Sequence, residues 1–134
     1  MRNFSGLDGD NRNTARQMAA IVQAIAGDEA LATTLPDLVL PDETGAMKVV
    51  AGWRITGKSG TMDYAAGLAG LITRPDGRQY AYAIFLADDR RRAELAASFD
   101  PRILHPAKDG RAWTLRARQL ETDLLLDWIA QISK

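Results

Sequence analysis

The chain contains no cysteine and only one histidine, His105. Together these shortages leave no ligand set for a zinc site, and no cofactor is expected. The missing cysteine suits an oxidising envelope and a reducing cytoplasm equally. Charge of one sign is also lacking: 17 basic residues balance 17 acidic ones, so no net field draws nucleic acid. No apolar run is long enough to cross a membrane. Met1-Arg2-Asn3 opens no signal peptide, because no apolar stretch follows. If the parent protein is secreted, its signal is expected upstream. What is present, 46% hydrophobic and 25% charged residues over 134 positions, fits one globular domain, residues 1–134, with a modest core.

The most informative segment is Lys58-Ser59-Gly60-Thr61, which admits two incompatible chemistries. Read backwards, Gly52-Trp53-Arg54-Ile55-Thr56-Gly57-Lys58-Ser59 satisfies the G-x-x-x-x-G-K-[ST] pattern of a nucleotide-binding P-loop. Read forwards, it is a variant of the Lys-Thr-Gly box of penicillin-recognising serine enzymes. The P-loop requires small residues, several unusual backbone angles and a helix directly after Lys-Ser. Here the variable positions are Trp53, Arg54, Ile55 and Thr56, which favour extended backbone. Gly60, Gly67 and Gly70 then weaken any helix. Ala83 to Asp89 resembles a magnesium-holding strand, but a buried strand ending at a polar turn is a far commoner meaning of such a pattern. The strand reading is preferred.

The neighbours agree with it. Gly67–Thr73 is a short apolar run, and Arg74-Pro75-Asp76-Gly77 places proline and glycine as a type I turn needs them. Gln79–Ala87 alternates Tyr80, Tyr82, Ile84 and Leu86 with Ala81, Ala83, Phe85 and Ala87. Both sets are apolar, which predicts a strand covered on both sides. With a first strand at Trp53–Met62, the expectation is a three-stranded antiparallel meander.

Helical spacing appears on either side. Asn13 or Thr14 can cap a helix to Ala26 that buries Met18, Ile21, Val22 and Ile25, with Gly27 ending it. A short helix is expected near Glu29–Leu35 and a strand-like piece at Met47–Val50. Asp89–Ser98 reads as a helix, and Phe99–Gly110 as a loop. Trp113–Ser133 reads as a long helix burying Ala117, Leu120, Leu124, Leu125, Trp128, Ile129 and Ile132. Helices around a small antiparallel sheet define an α+β fold. Trp53, Trp113 and Trp128 read as core, His105 as a loop residue, and Asp42-Glu43 and Asp88-Asp89 as solvated boundaries. Arg90-Arg91-Arg92 reads as a solvated helix start.

The ordered series Ser5-Gly6-Leu7, Asp10-Asn11, Lys58-Ser59-Gly60-Thr61, Gly67-Leu68-Ala69-Gly70 and Tyr82-Ala83-Ile84-Phe85 resembles the C-terminal part of a D-alanyl-D-alanine carboxypeptidase/endopeptidase. The group is the low-molecular-mass class C penicillin-binding proteins, which share the serine β-lactamase-like transpeptidase fold. The resemblance implies a cell-wall hydrolase of the serine type, periplasmic or on the outer side of the envelope. Its partners would be peptidoglycan stem peptides and β-lactams. It also implies roles: Lys58 as a catalytic cation, the Ser59 hydroxyl on the substrate carboxylate, Gly60 leaving room, and the Thr61 N–H as half of an oxyanion hole.

The departures are equally specific. None of the four lysines has serine three residues earlier; Gly45, Ile55, His105 and Gln131 stand there. No serine is followed two residues later by asparagine. Asp8 and Gly9 stand where the family has serine and arginine, and Ser59 replaces threonine. The resemblance therefore implies one wall of an active site that is inactive alone. Its cut sheet would favour self-association. The rival classes are a nucleotide-binding domain using Gly52–Ser59 and a noncatalytic interaction fragment.

Overall fold

The computed structural model describes residues 13–41, 47–48, 52–98 and 109–134. Ser5-Gly6-Leu7, Asp10-Asn11, Asp42-Glu43, Val49-Val50 and His105 lie outside them. The first helix, α1 (Ala15–Ala26), starts as expected: Thr14 and Gln17 form a reciprocal capping box. Gly27 closes it in a right-handed conformation, so the glycine is not there for a left-handed turn. Only Val22 of the predicted stripe is fully buried, and Ile21 remains exposed. The second helix, α2 (Glu29–Ala32), ends three residues earlier than expected. The Thr33 and Thr34 hydroxyls donate back to the carbonyls of Ala30 and Leu31, and such local bonds compete with helix continuation.

Two short strands follow, β1 (Leu40–Pro41) and β2 (Met47–Lys48), paired antiparallel. The main sheet comprises β3 (Arg54–Met62), β4 (Ala65–Thr73) and β5 (Gln79–Ala87), in the order β3-β4-β5, antiparallel throughout. This is the predicted meander. The turn at Arg74–Gly77 closes with Gly77 N–H donating to Arg74 O at 2.9 Å, and Gly77 takes φ +85°. That left-handed residue following the turn fits a glycine there. Helix α3 (Asp89–Ala97), capped by Asp88, and helix α4 (Gly110–Ile132) complete the α+β fold.

Register decides which side chains share a face. Ile55, Gly57, Ser59 and Thr61 stand opposite Ile72, Gly70, Leu68 and Ala66, which in turn face Tyr80, Tyr82, Ile84 and Leu86. This face carries the core: Ile55, Leu68, Ile72, Tyr82 and Ile84 pack with Leu125 and Ile129 of α4. Trp53 and Trp128 pack half-buried at its margin. Trp113 meets Tyr64 edge-on, centroids 6.3 Å apart. The opposite face packs against α1. Its cover is incomplete, contrary to the expectation for Gln79–Ala87: Phe85 is 43% exposed and Ala87 is exposed. A 12-residue helix covers one end of that face and stops.

The long helix also departs from expectation in one row. Its buried residues after Gly110 are Ala117, Glu121, Leu125 and Ile129, a strict i+4 series, while Leu120 is 45% exposed. The apolar stripe read from composition passed over a glutamate that the geometry buries.

Glycine shapes the sheet at one place. Gly57 and Gly70 face each other, and the Tyr82 ring crosses them to donate its hydroxyl to Thr56 O at 3.0 Å. An aromatic ring laid over paired glycines replaces the side-chain packing they lack.

Candidate active site

The four residues singled out from sequence lie together on β3, and the strand alternation sorts them. Ser59 and Thr61 project toward α4, whereas Lys58 and Gly60 share the face of Ala69 and Gly67. All four are exposed. Lys58 bends to the strand edge, where its Nζ donates to Ser59 O at 2.6 Å.

That edge is half closed. Leu38 N–H donates to Ile55 O at 2.8 Å, and Gly57 N–H donates to Pro36 O at 2.9 Å. An exposed ion pair, Arg54 to Asp37 at 2.7 Å, holds the covering segment. In an antiparallel strand, alternate residues present both backbone groups to the same side. Ser59 and Thr61 therefore direct N–H and C=O outward as Ile55 and Gly57 do. Among the described residues no backbone pairs with them there.

Gly60 adds a second sign. A Cβ at Gly57, Gly67 or Gly70 would press on neighbouring atoms, but at Gly60 it would meet nothing within 4 Å. Glycine weakens a strand interior unless something must come close. No packing contact among the described residues requires glycine at position 60.

The P-loop alternative is not what the fold presents. After Lys58-Ser59 the chain continues as strand to Met62 and turns into another strand, so no helix N-terminus faces the segment. The bulky residues at 53–56 fix extended backbone, as their stereochemistry favours.

Beyond the strand the structure brings in residues the sequence reading left out. Arg118 of α4 donates from Nη2 to Thr61 Oγ1 at 3.2 Å. Glu121, one turn further, is 5% exposed, and its Oε1 has no hydrogen-bond partner among the described residues. Burial pushes its carboxyl above the ordinary value, with the nearby Arg118 charge opposing. Burial, aided by the Glu121 charge, raises the Tyr82 phenol far above its ordinary range. The spacing 117, 121, 125, 129 was the available signal for Glu121. No local pattern marked Arg118, because its partner lies 57 residues away.

Glu121 carries a pH prediction. A carboxyl raised in the folded state holds its proton longer there than in the unfolded chain. Stability is thus greatest below the ordinary value and falls as pH rises through the folded one. Glu121→Gln should raise stability by roughly 1 kcal/mol at pH 8 and leave it unchanged under acid conditions. Urea unfolding of both proteins across this range checks it; equal gains at both ends would point to packing instead.

The turn joining β3 to β4 is held from outside the sheet. Tyr64 sits at φ 55°, uncommon for an aromatic residue. Its hydroxyl donates to Asp109 Oδ1 at 2.5 Å, and Arg91 bonds Asp109 Oδ2 at 2.6 Å while lying over the Tyr64 ring. The shared hydrogen bond raises the Tyr64 phenol and lowers the Asp109 carboxyl. Arg92 reaches Asp63 O. The solvated reading of the arginine run therefore holds for Arg90, paired in solvent with Glu94, but not for its two neighbours, which hold this turn. Among the described residues no cluster of three or more His, Cys, Asp or Glu could hold a metal.

The model of the D-Ala-D-Ala carboxypeptidase 3 (S13) family matches residues 1–101, and the chain belongs to that family. It is a family of cell-wall peptidases, which connects the chain with peptidoglycan peptides and the envelope. Among curated proteins no match was found. No helix of the described residues is long and apolar enough to cross a membrane.

Proposed function

We propose that residues 58–61 are the substrate-binding strand of a serine-type D-Ala-D-Ala carboxypeptidase, periplasmic or on the outer side of the envelope. The observation that carries the reading is the outward edge of Ser59 and Thr61, open exactly where Gly60 leaves space without a folding reason. A stem peptide, or a β-lactam, adds there as a further antiparallel strand. The Ser59 hydroxyl donates to its terminal carboxylate. The outward N–H of Thr61 supplies half of the oxyanion hole, and Lys58 supplies positive potential beside it.

The reaction is acyl transfer. A serine hydroxyl attacks the penultimate D-alanine carbonyl, the peptide bond breaks, and the terminal D-alanine leaves with the proton as an amine. Water then cleaves the ester and regenerates the serine. This sequence holds no Ser-x-x-Lys and no Ser-x-Asn, so the nucleophile and its relay come from other residues of the parent. The chain alone is accordingly expected to show no covalent labelling by a fluorescent penicillin. A stable labelled band on a denaturing gel would identify another nucleophile and overturn these roles.

Self-association belongs to the same reading. The outer edge of β5 pairs with no strand among the described residues, and exposed Phe85 lies beside it. Free strand edges template pairing with another chain. Sedimentation equilibrium over a wide concentration range should show mass rising above 14.6 kDa; an ideal monomer throughout would show the edge is closed.

A further inference from the structure

We infer that Tyr64 is a positioning residue for the acyl transfer proposed above: clasped by Asp109 and Arg91, it fixes the end of β3 so that the Thr61 N–H stays aimed at the developing oxyanion. The inference rests on the substrate-strand reading and extends it to the turn that joins β3 to β4.

The two hairpin turns of the sheet answer the same backbone demand in opposite ways. At Arg74–Gly77 the left-handed position falls to Gly77, φ +85°, which adopts it freely. Between β3 and β4, Met62 pairs with Ala65, so Asp63 and Tyr64 make the whole loop. Two-residue hairpins of the favoured kinds place positive φ at the first loop position. Here only the second, Tyr64, is positive, at 55°. Such a turn works against the right-handed twist of its strands, and no glycine relieves it. Backbone in a sparsely populated region persists only where its surroundings over-determine it, and such places gather at functional sites.

Those surroundings come from both helices that follow the sheet. The Tyr64 hydroxyl donates to Asp109, at the start of α4, and Arg91 of α3 holds the other oxygen of that carboxylate while covering the Tyr64 ring. The Asp88 N–H donates to Tyr64 O at 3.0 Å, and Arg92 donates to Asp63 O. Tyr64 is thus held through side chain and backbone, and it is buried. Thr61 lies three residues before it, next to the pair that closes the loop. On its outer side no backbone of the described residues restrains Thr61, unlike Ile55 and Gly57. The aim of its N–H is set by β4 and, past Met62, by the clasped turn. An oxyanion donor works by being aimed beforehand, and a loss of aim costs rate even when the donor stays.

The test uses the parent enzyme carrying Tyr64→Phe, which keeps the ring and the Trp113 contact and removes only the bond to Asp109. Oxyanion stabilisation belongs to the transition state, so the loss should fall on the chemical step and not on binding. Single-turnover acylation by a penicillin should slow at least about tenfold, while the binding constant that precedes it stays within about twofold. In the penicilloyl-enzyme, the infrared band of the ester carbonyl should move to higher frequency as the hydrogen bond to that oxygen weakens. Asp109→Asn should act in the same direction, since it removes the charge that holds Arg91. Combining the two should add little, because both work through one clasp. Should Tyr64→Phe fail to fold, Asp109→Asn decides by the same two readings. Folded variants with wild-type acylation and an unmoved carbonyl band would make the clasp purely structural and overturn the inference, leaving the substrate strand intact. A Thr61 amide resonance that stays in place when the wild type is acylated would overturn the substrate strand itself, and this inference with it.

Discussion

Gly70→Ala should cost the fold about 3 kcal/mol or more, in the range of severe overpacking. A methyl group on Gly70 would run into Thr56 O and the Gly57 Cα, backbone atoms of the adjacent strand that cannot swing aside. The strands would have to separate where Tyr82 now lies across the glycine pair, breaking its bond to Thr56 O as well. Gly60→Ala is the internal comparison. It meets nothing, so its stability should stay within about 1 kcal/mol of wild type and tend upward, since alanine restricts the unfolded chain. Urea midpoints of the two variants settle the matter. A Gly70→Ala protein as stable as wild type would mean the strands are not packed this closely.

Lys58→Ala should lower acylation of the parent enzyme by at least about a hundredfold, the scale seen when a preorganised electrostatic group is removed. Lys58 is exposed, so the loss should come without a large loss of stability. Its ammonium already lies at the edge, bonded to the Ser59 carbonyl, where the oxyanion and the proton relay would need positive charge. Arg90→Ala makes the control, because among the described residues exposed Arg90 pairs only with Glu94. Burst-phase acylation by a penicillin reads both. Equal rates for wild type and Lys58→Ala would reassign the lysine to the solvated surface.

Local signals made the sheet legible in advance. Proline and glycine at the Arg74–Gly77 turn, and apolar alternation through Tyr82 and Ile84, mark elements whose cause lies within a few residues. The Lys58-Ser59-Gly60-Thr61 strand was legible for the same reason. Relations across the chain were not. The burial of Glu121 follows from how α4 lies on the sheet, and Arg118 meets Thr61 only after both have been placed. Arg91 and Arg92 resembled a solvated helix start because Asp109 and Asp63, which receive them, are distant in sequence or on another element. The exposed flank of Phe85 depends on where α1 ends, a limit no strand pattern contains.

The two ends of α4 are fastened to the two turns that bound β4. At its start Asp109 takes the Tyr64 hydroxyl, and at its end the Ile132 carbonyl takes Arg74. A strand of 9 residues spans about 30 Å and a helix of 23 about 35 Å, so helix and strand match in length. The helix acts on the strand as a splint bolted at both ends, and neither can fray without releasing the other. Slow amide exchange should accordingly run through β4 and α4 as one cooperative unit, with α2 exchanging ahead of it.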